Sequence, residues 1–190
     1  MRKLIAAMNM TLDGYCDHTS GIADEEIHQH YTDLLNESDS IIYGRVTYQL
    51  MEYWRPFVDQ PSGEKSSDDF AEAIDNISKI VYSRTLPDVD WRNTELKREI
   101  IVNDISALKQ HPGKNILVGS PSMIVQLGNL SLIDEYQISI QPMIVGAGLQ
   151  LFKSISGRID LKLLKTKTFE CGALMLYYQP TQSIGADRTT

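Results

Sequence analysis

The chain has little that would place it in a specialised class. Only two cysteines, Cys16 and Cys171, occur in 190 residues. They lack the spacing of a zinc or redox motif, so each is read as a free buried thiol in a reducing, cytoplasmic protein. No apolar run approaches the roughly 18 residues of a membrane span. The apolar start is broken by Asn9, Thr11 and Asp13, too early for a secretory signal. No basic stripe is present, which excludes general binding to nucleic acid, and no polybasic segment marks a membrane surface. His28 and His30 stand two apart on an expected helix and point to different sides, so they cannot chelate one metal. His18 and His111 fall in loops. Neither a Gly-x-Ser-x-Gly elbow nor a Walker loop occurs.

What is present is an ordinary globular composition, 42% hydrophobic and 23% charged. The length suits one domain. We assign residues 1–179 to it and 180–190 to a polar, disordered tail. The net charge is −7 and unevenly spread. Residues 1–80 carry 6 basic and 15 acidic side chains, while residues 81–190 carry 12 and 10.

Hydrophobic patterning predicts strands at 3–10, 40–43, 79–82, within 94–102, at 115–118 and at 135–141, then two strands between 161 and 178. Ile27, Tyr31, Leu34 and Leu35 mark a helix, with Asp24, Glu25 and Glu26 favoured at its positive end. Short helices are expected at 47–54 and 70–77, with a polar loop over 56–69. Asp104 is the expected cap of a helix reaching Gln110. Ser120 followed by Pro121 predicts a further helix start, ended by Gly128-Asn129. Alternating strands and helices predict a parallel α/β sheet, and the strand-rich ending an antiparallel edge.

In such sheets, ligands bind beyond the carboxyl ends of the strands. Four segments fall there: Asp13-Gly14, Gly44-Arg45-Val46-Thr47, Ser83-Arg84-Thr85 and Gly119-Ser120-Pro121-Ser122. Two of them open helices, whose free N–H groups and dipole favour anions. Arg45 and Arg84 supply permanently charged forks suited to phosphate, and the hydroxyls of Thr47, Ser83, Thr85 and Ser122 add donors. Each junction alone is usually just a turn. Four in one chain read as a site for a ligand with several phosphates.

Those segments carry a family resemblance. Met8-Asn9-Met10-Thr11-Leu12-Asp13-Gly14, Ile42-Tyr43-Gly44-Arg45-Val46-Thr47-Tyr48, Ile116-Leu117-Val118-Gly119-Ser120 and the run from Leu132 through Gly146-Ala147-Gly148 to Phe152 resemble the dihydrofolate reductase-like superfamily. The closer match is its branch with the reductase domain of riboflavin biosynthesis. The resemblance spans about residues 1–179. It implies a three-layer α/β fold: a mixed, mostly parallel sheet with helices on both faces and a C-terminal antiparallel hairpin. It also implies an NADPH site and a homodimer, for which the apolar run 138–145 could supply a shared sheet edge. By position, Ala7 and Gly14 would lie near the nicotinamide, and Gly44, Arg45 and Thr47 would hold phosphates. Ser83, Arg84 and Thr85 would lie near the 2′-phosphate, and Gly119, Ser120, Ser122 and Met123 along the pyrophosphate.

The departures limit the substrate. The Trp-x-Leu-Pro segment that precedes the pterin-addressing acid of dihydrofolate reductases is missing. Glu25, Glu26 and Asp33 are candidates for that acid, although a solvated helix face accounts for them. Riboflavin-pathway reductases often place a lysine and a glutamate where this chain has Ala7 and Val118. The substrate is therefore expected to be neither dihydrofolate nor the riboflavin precursor. Asp13 is the candidate catalytic residue, to orient substrate or relay a proton. Its structural alternative is to fix the turn at Gly14. Tyr48, Tyr53 and Trp54 are read as core or loop anchors. The expected function is NADPH-dependent reduction of a small pterin- or pyrimidine-like heterocycle. The alternative is a non-catalytic nucleotide-binding or sensor module.

Overall fold

The computed structural model describes residues 1–19, 21–22 and 24–181. Its eight strands are β1 (Leu4–Thr11), β2 (Ser38–Gly44), β3 (Ser78–Tyr82), β4 (Thr94–Lys97), β5 (Asn115–Val118), β6 (Glu135–Gln141), β7 (Leu161–Thr168) and β8 (Leu174–Pro180). The helices are α1 (Glu25–Asn36), α2 (Arg45–Met51), α3 (Pro56–Asp59), α4 (Lys65–Asn76), α5 (Val102–Gln110) and α6 (Pro121–Asn129), with a 3-10 turn at Glu52–Trp54.

All strands join one sheet in the order β4-β3-β2-β5-β1-β6-β8-β7. The six from β4 to β6 are mutually parallel, while β8 runs antiparallel to both β6 and β7. The expected mixed sheet with a C-terminal hairpin is therefore present. β1 sits in the middle, between β5 and β6, which explains its nearly unbroken apolar sequence: both its faces are covered.

Alternation along β1 divides the interior. Leu4, Ala6 and Met8 pack with Ile105 of α5 and Met123, Ile124 and Leu127 of α6. Ile5 and Ala7 face the other way, against Leu34 and Leu35 of α1 and Ala73 and Ile74 of α4. Helices thus cover both faces. Ile124 and Leu127 have no exposed surface, and burying each contributes roughly 1.5–3 kcal/mol. Phe169, Ala173, Met175 and Tyr177 of the hairpin region close the core beneath Ile27.

Several boundaries depart from expectation. The loop predicted over 56–69 holds α3 and the start of α4. Pro56 is tolerated at a first helical position, where no N–H is needed. Asp68 orders the turn before α4 by accepting the N–H groups of Ser62 and Gly63 and the Ser62 hydroxyl. Asp104 is not a cap: Ile101 holds that position, and Asp104 lies in the first turn. Asp24 caps α1 instead, accepting from the N–H groups of Glu26 and Ile27 at 2.8 and 3.3 Å. The strand sought within 94–102 ends at Lys97.

The run 138–145 does not supply a sheet edge. Its strand, β6, is enclosed by β1 and β8, and the open edges are β4 and β7. The domain also extends slightly past residue 179: Pro180 ends β8, and the Thr181 N–H donates to Asp160 O at 2.8 Å. The rest of the expected tail, 182–190, lies outside the described residues. Among those described, no helix is long and apolar enough to cross a membrane.

Candidate functional site

The sheet order brings the predicted junctions together. β3, β2, β5 and β1 are parallel neighbours, so the segments that follow them share one edge of the sheet. A cleft of about 900 Å³ opens along part of that edge and continues beneath α1. Ala7, Thr47, Gly119, Ser120 and Ser122 line it, as do His28, Tyr31, Trp54 and Phe70.

One end of the cleft is built where α2 and α6 begin. Gly44 is the residue before α2, and a Cβ there would meet Ser122 Oγ at 2.8 Å and Ser120 Oγ at 3.2 Å. Glycine therefore lets the two helix starts approach closely. Thr47 Oγ1 donates to Ser120 Oγ at 3.0 Å, and Ser122 Oγ stands 3.4 Å from the same oxygen. Ser120 is the N-cap residue of α6, but its hydroxyl joins this cluster and makes no cap bond. Gly119 is required for a different reason. A Cβ there would lie 3.0 Å from Tyr43 Cε1 and 3.3 Å from Ile41 Cδ1.

The remaining predicted residues divide. Arg45, Arg84 and Thr85 are exposed beside this edge. Arg45 Nη1 donates to Gln49 at 3.0 Å, and neither guanidinium meets a carboxylate among the described residues. Ser83 points inward, where its Oγ accepts from the N–H groups of Thr85 and Leu86 at 3.2 and 2.9 Å. Met123 is core, packed with Leu4 and Ile124. Gly14, at φ +91°, makes the turn after β1 and does not line the cleft.

Asp13 also lies off the cleft lining. Its carboxylate accepts from Thr11 Oγ1 at 2.6 Å, Gly146 N at 2.7 Å and Val145 N at 3.2 Å. The Thr11 bond, then those backbone donors, hold it below the usual carboxylate range. Asp17 does the same for Leu149 N at 2.7 Å, and Cys16 N donates to Leu149 O at 2.8 Å. The motif after β1 and the glycine-rich run after β6 are thus one stitched unit. Burial, then the nearby Asp17 charge, pushes the Cys16 thiol up to about 11, which leaves it protonated and unreactive.

The other end of the cleft is aromatic. Trp54 and Phe70 meet edge to face at 4.8 Å, and the His28 ring lies 5.9 Å from Trp54 and 6.1 Å from Phe70. Burial lowers the His28 pKa, favouring the neutral ring. His30 turns to the opposite side, against Phe169 and Tyr177. Tyr48 is buried, as expected for a core anchor, and Tyr53 is exposed, but Trp54 is a cleft wall. None of the α1 acids enters the cleft. Glu26 is not simply solvated: it accepts from Glu170 N at 2.9 Å and pairs with Lys167 at 3.0 Å. The cleft floor holds Asn9, whose Oδ1 accepts from the Tyr31 hydroxyl at 2.9 Å. Sequence reasoning gave Asn9 no role, although it shares a face of β1 with Ala7.

A mostly parallel sheet with a C-terminal antiparallel hairpin and a cleft across its carboxyl edge defines an α/β protein of the dihydrofolate reductase-like fold. The dihydrofolate reductase of Enterococcus faecalis, solved with NADP(H) and RAB-propyl, shares it with TM-score 0.62 and 14% identity over 94% of this chain and 96% of that one. Within that fold, the chain belongs to the family of the RibD C-terminal domain, whose family model matches residues 2–175. It is 34% identical to the uncharacterized protein YyaP of Bacillus subtilis (strain 168) over 181 residues, covering 93% of this chain and 94% of YyaP. A Thermotoga maritima diaminohydroxyphosphoribosylaminopyrimidine deaminase/5-amino-6-(5-phosphoribosylamino)uracil reductase has the same fold, with TM-score 0.61 and 15% identity over 95% of this chain and 57% of that one.

Proposed function

We propose that this chain is an NADPH-dependent reductase of a small pterin- or pyrimidine-like heterocycle other than dihydrofolate. The observation that carries this reading is the continuity of one cleft, from the hydroxyl cluster at the α6 N-terminus, past Ala7, to the aromatic walls. The residues suit the cofactor. The space that a Cβ at Gly44 would fill is bounded by the Ser120 and Ser122 hydroxyls, and the helix start beside them favours phosphate oxygens. Thr47, Ser120 and Ser122 would hold the pyrophosphate, with the Gly119 backbone beside them in the cleft lining. Arg45, Arg84 and Thr85 would address the 2′-phosphate. Ala7 would leave room for the nicotinamide, which when bound supplies the hydride. Asp13 would hold the 145–146 turn as a positioning residue.

A second reading, a non-catalytic nucleotide-binding or sensor module, draws support from one fact. Asp13, the carboxylate proposed for chemistry, already has three donors. Loss of reduced-nicotinamide absorbance with a panel of pterins and pyrimidines separates the two readings. Turnover with any of them supports the reductase, and tight NADPH binding without turnover supports the module. A fluorescence titration in which NADH binds as tightly as NADPH removes the 2′-phosphate assignment. Full turnover in Asp13→Asn removes Asp13 as a positioning residue.

We also assign a homodimer to the β7 edge, where Leu161, Leu163 and Leu164 are exposed. Sedimentation of Leu163→Glu as a monomer, with the wild type a dimer, supports that assignment. A monomeric wild type ends it.

A further inference from the structure

The face of β6 turned away from α6 is polar although buried. Glu135, Gln137, Ser139 and Gln141 lie along it, alternating with the apolar Tyr136 and Ile138. In register with β1, Ser139 stands beside Asn9 and Gln141 beside Thr11. A directed chain of hydrogen bonds crosses this face and ends in the cleft.

The chain starts at a group that cannot reverse. The backbone N–H of Ile22 donates to Gln141 Oε1 at 3.2 Å. This fixes the other end of that amide as the donor. Gln141 Nε2 donates to Ser139 Oγ at 3.0 Å and reaches Asn9 Oδ1 at 3.5 Å. The Tyr31 hydroxyl donates to the same Asn9 oxygen at 2.9 Å. The Asn9 oxygen is therefore turned toward Gln141 and Tyr31. Its Nδ2 is the remaining end, on a residue that lines the cleft, and has no acceptor among the described residues.

The surroundings say what such a donor would meet. Trp54, Phe70 and His28 pack against one another at 4.8 to 6.1 Å and together present one aromatic surface in the cleft on which a flat ring can lie. Among the described residues lining the whole cleft there is no lysine and no arginine. A phosphate drawn into the aromatic end would lose its water and find no counter-charge there.

We propose that the aromatic end of the cleft binds an uncharged, planar carbonyl compound without a phosphate, with its carbonyl oxygen accepting from Asn9 Nδ2. Asn9 is then a specificity-determining residue, and Tyr31 and Gln141 are positioning residues that hold its amide in one orientation. The assignment rests on the reductase reading for its meaning in turnover, but the binding step requires no cofactor.

Calorimetric titration of the full chain, without nicotinamide, tests it. The probes are quinazolin-4-one and lumazine, with indole as a planar, uncharged bicycle that has no carbonyl and uridine 5′-monophosphate as a phosphorylated competitor. We expect at least one carbonyl probe to bind with Kd below about 1 mM, and the monophosphate not to displace it. Asn9→Asp keeps the inward oxygen but loses the donor, so it should weaken carbonyl-probe binding about tenfold or more. Indole affinity should stay within about twofold. Tyr31→Phe, which leaves Asn9 intact but less firmly held, should weaken the carbonyl probe about threefold, and it carries the test if Asn9→Asp does not fold.

The proposal is overturned if neither carbonyl probe binds below about 1 mM, or if the monophosphate displaces the probe. It is equally overturned if Asn9→Asp changes carbonyl and indole binding alike or changes neither, or, where that variant does not fold, if Tyr31→Phe leaves the probe unaffected. Failure of NADPH to bind, with these results intact, would strike the reductase reading alone.

Discussion

The two ends of the cleft are built by different means. At the hydroxyl-lined end, a few consecutive residues do the work: Gly44 to Thr47 open α2, and Gly119 to Ser122 open α6. Their backbone groups and hydroxyls point where local geometry sends them. At the aromatic end, no two of Asn9, His28, Trp54, Phe70 and Gln141 share a local motif. They meet because β1, α1, the 3-10 turn, α4 and β6 converge. A local device can be preserved while its surroundings drift, so one end can keep its ligand while the other changes. Under the reductase reading proposed above, the cofactor end would be the one kept and the substrate end the one that changes.

Substitutions should separate the ends. The largest effect is expected from Arg45→Ala with Arg84→Ala, which should weaken NADPH binding about a hundredfold and leave quinazolin-4-one within twofold. Parallel loss of both ligands, measured by fluorescence titration and calorimetry, would break the comparison. Next is Gly119→Ala, where the new Cβ meets the Tyr43 ring and Ile41 at 3.0 and 3.3 Å. Both neighbours are packed in the core, so urea unfolding should show a loss of about 1–3 kcal/mol. Gly44→Ala crowds serine hydroxyls, which can rotate, and touches Met123 Cγ only at an ordinary 3.8 Å. It should cost less than about 1 kcal/mol of stability, yet reduce NADPH affinity roughly fivefold by displacing those hydroxyls.

The smallest effect concerns pH. Burial holds His28 below its ordinary value of 6.5, against the opposing pull of Asp24. The unfolded chain therefore takes up that proton first as pH falls. Its contribution to stability is complete above about pH 6.5 and declines as pH drops through the folded value. Denaturant unfolding between about pH 7 and 5 should show a shallower decline in His28→Gln, by less than about 1 kcal/mol. An unchanged slope would remove His28 from the acid response.

The same contrast decides what could be read in advance. The parallel sheet with its antiparallel ending followed from the alternation of strands and helices, and the helix starts at Gly44 and Ser120 were visible as short motifs, but the strand order was not. Ser83 and Met123 sat in the right segments but turned inward, because side-chain direction depends on packing as well as position. Asp13 was legible as a turn residue, but its partners at Val145 and Gly146 lie more than a hundred residues away. Asn9 and Gln141 both fell inside recognised runs, and their relation exists only through the parallel register of β1 and β6. The face alternation Ile5, Ala7, Asn9 was the available signal, since it turned a polar side chain toward the α1 side. α3 was missed because it is a single four-residue turn opening on Pro56, too short for a periodic pattern, and the start of α4 because its first turn, Lys65 to Asp68, has the composition of a loop.

The position of β1 has a consequence for time. Leu4 pairs with Ile116 on one side, and Ile5 with Glu135 on the other. A ribosome adding about 5–20 residues per second takes on the order of ten seconds to go from β1 to the first of these partners. Through that interval this central, largely apolar strand has neither neighbour. Its assembly is a late event by geometry, and a chaperone or a transient non-native contact has a defined segment to protect: Leu4 to Met8.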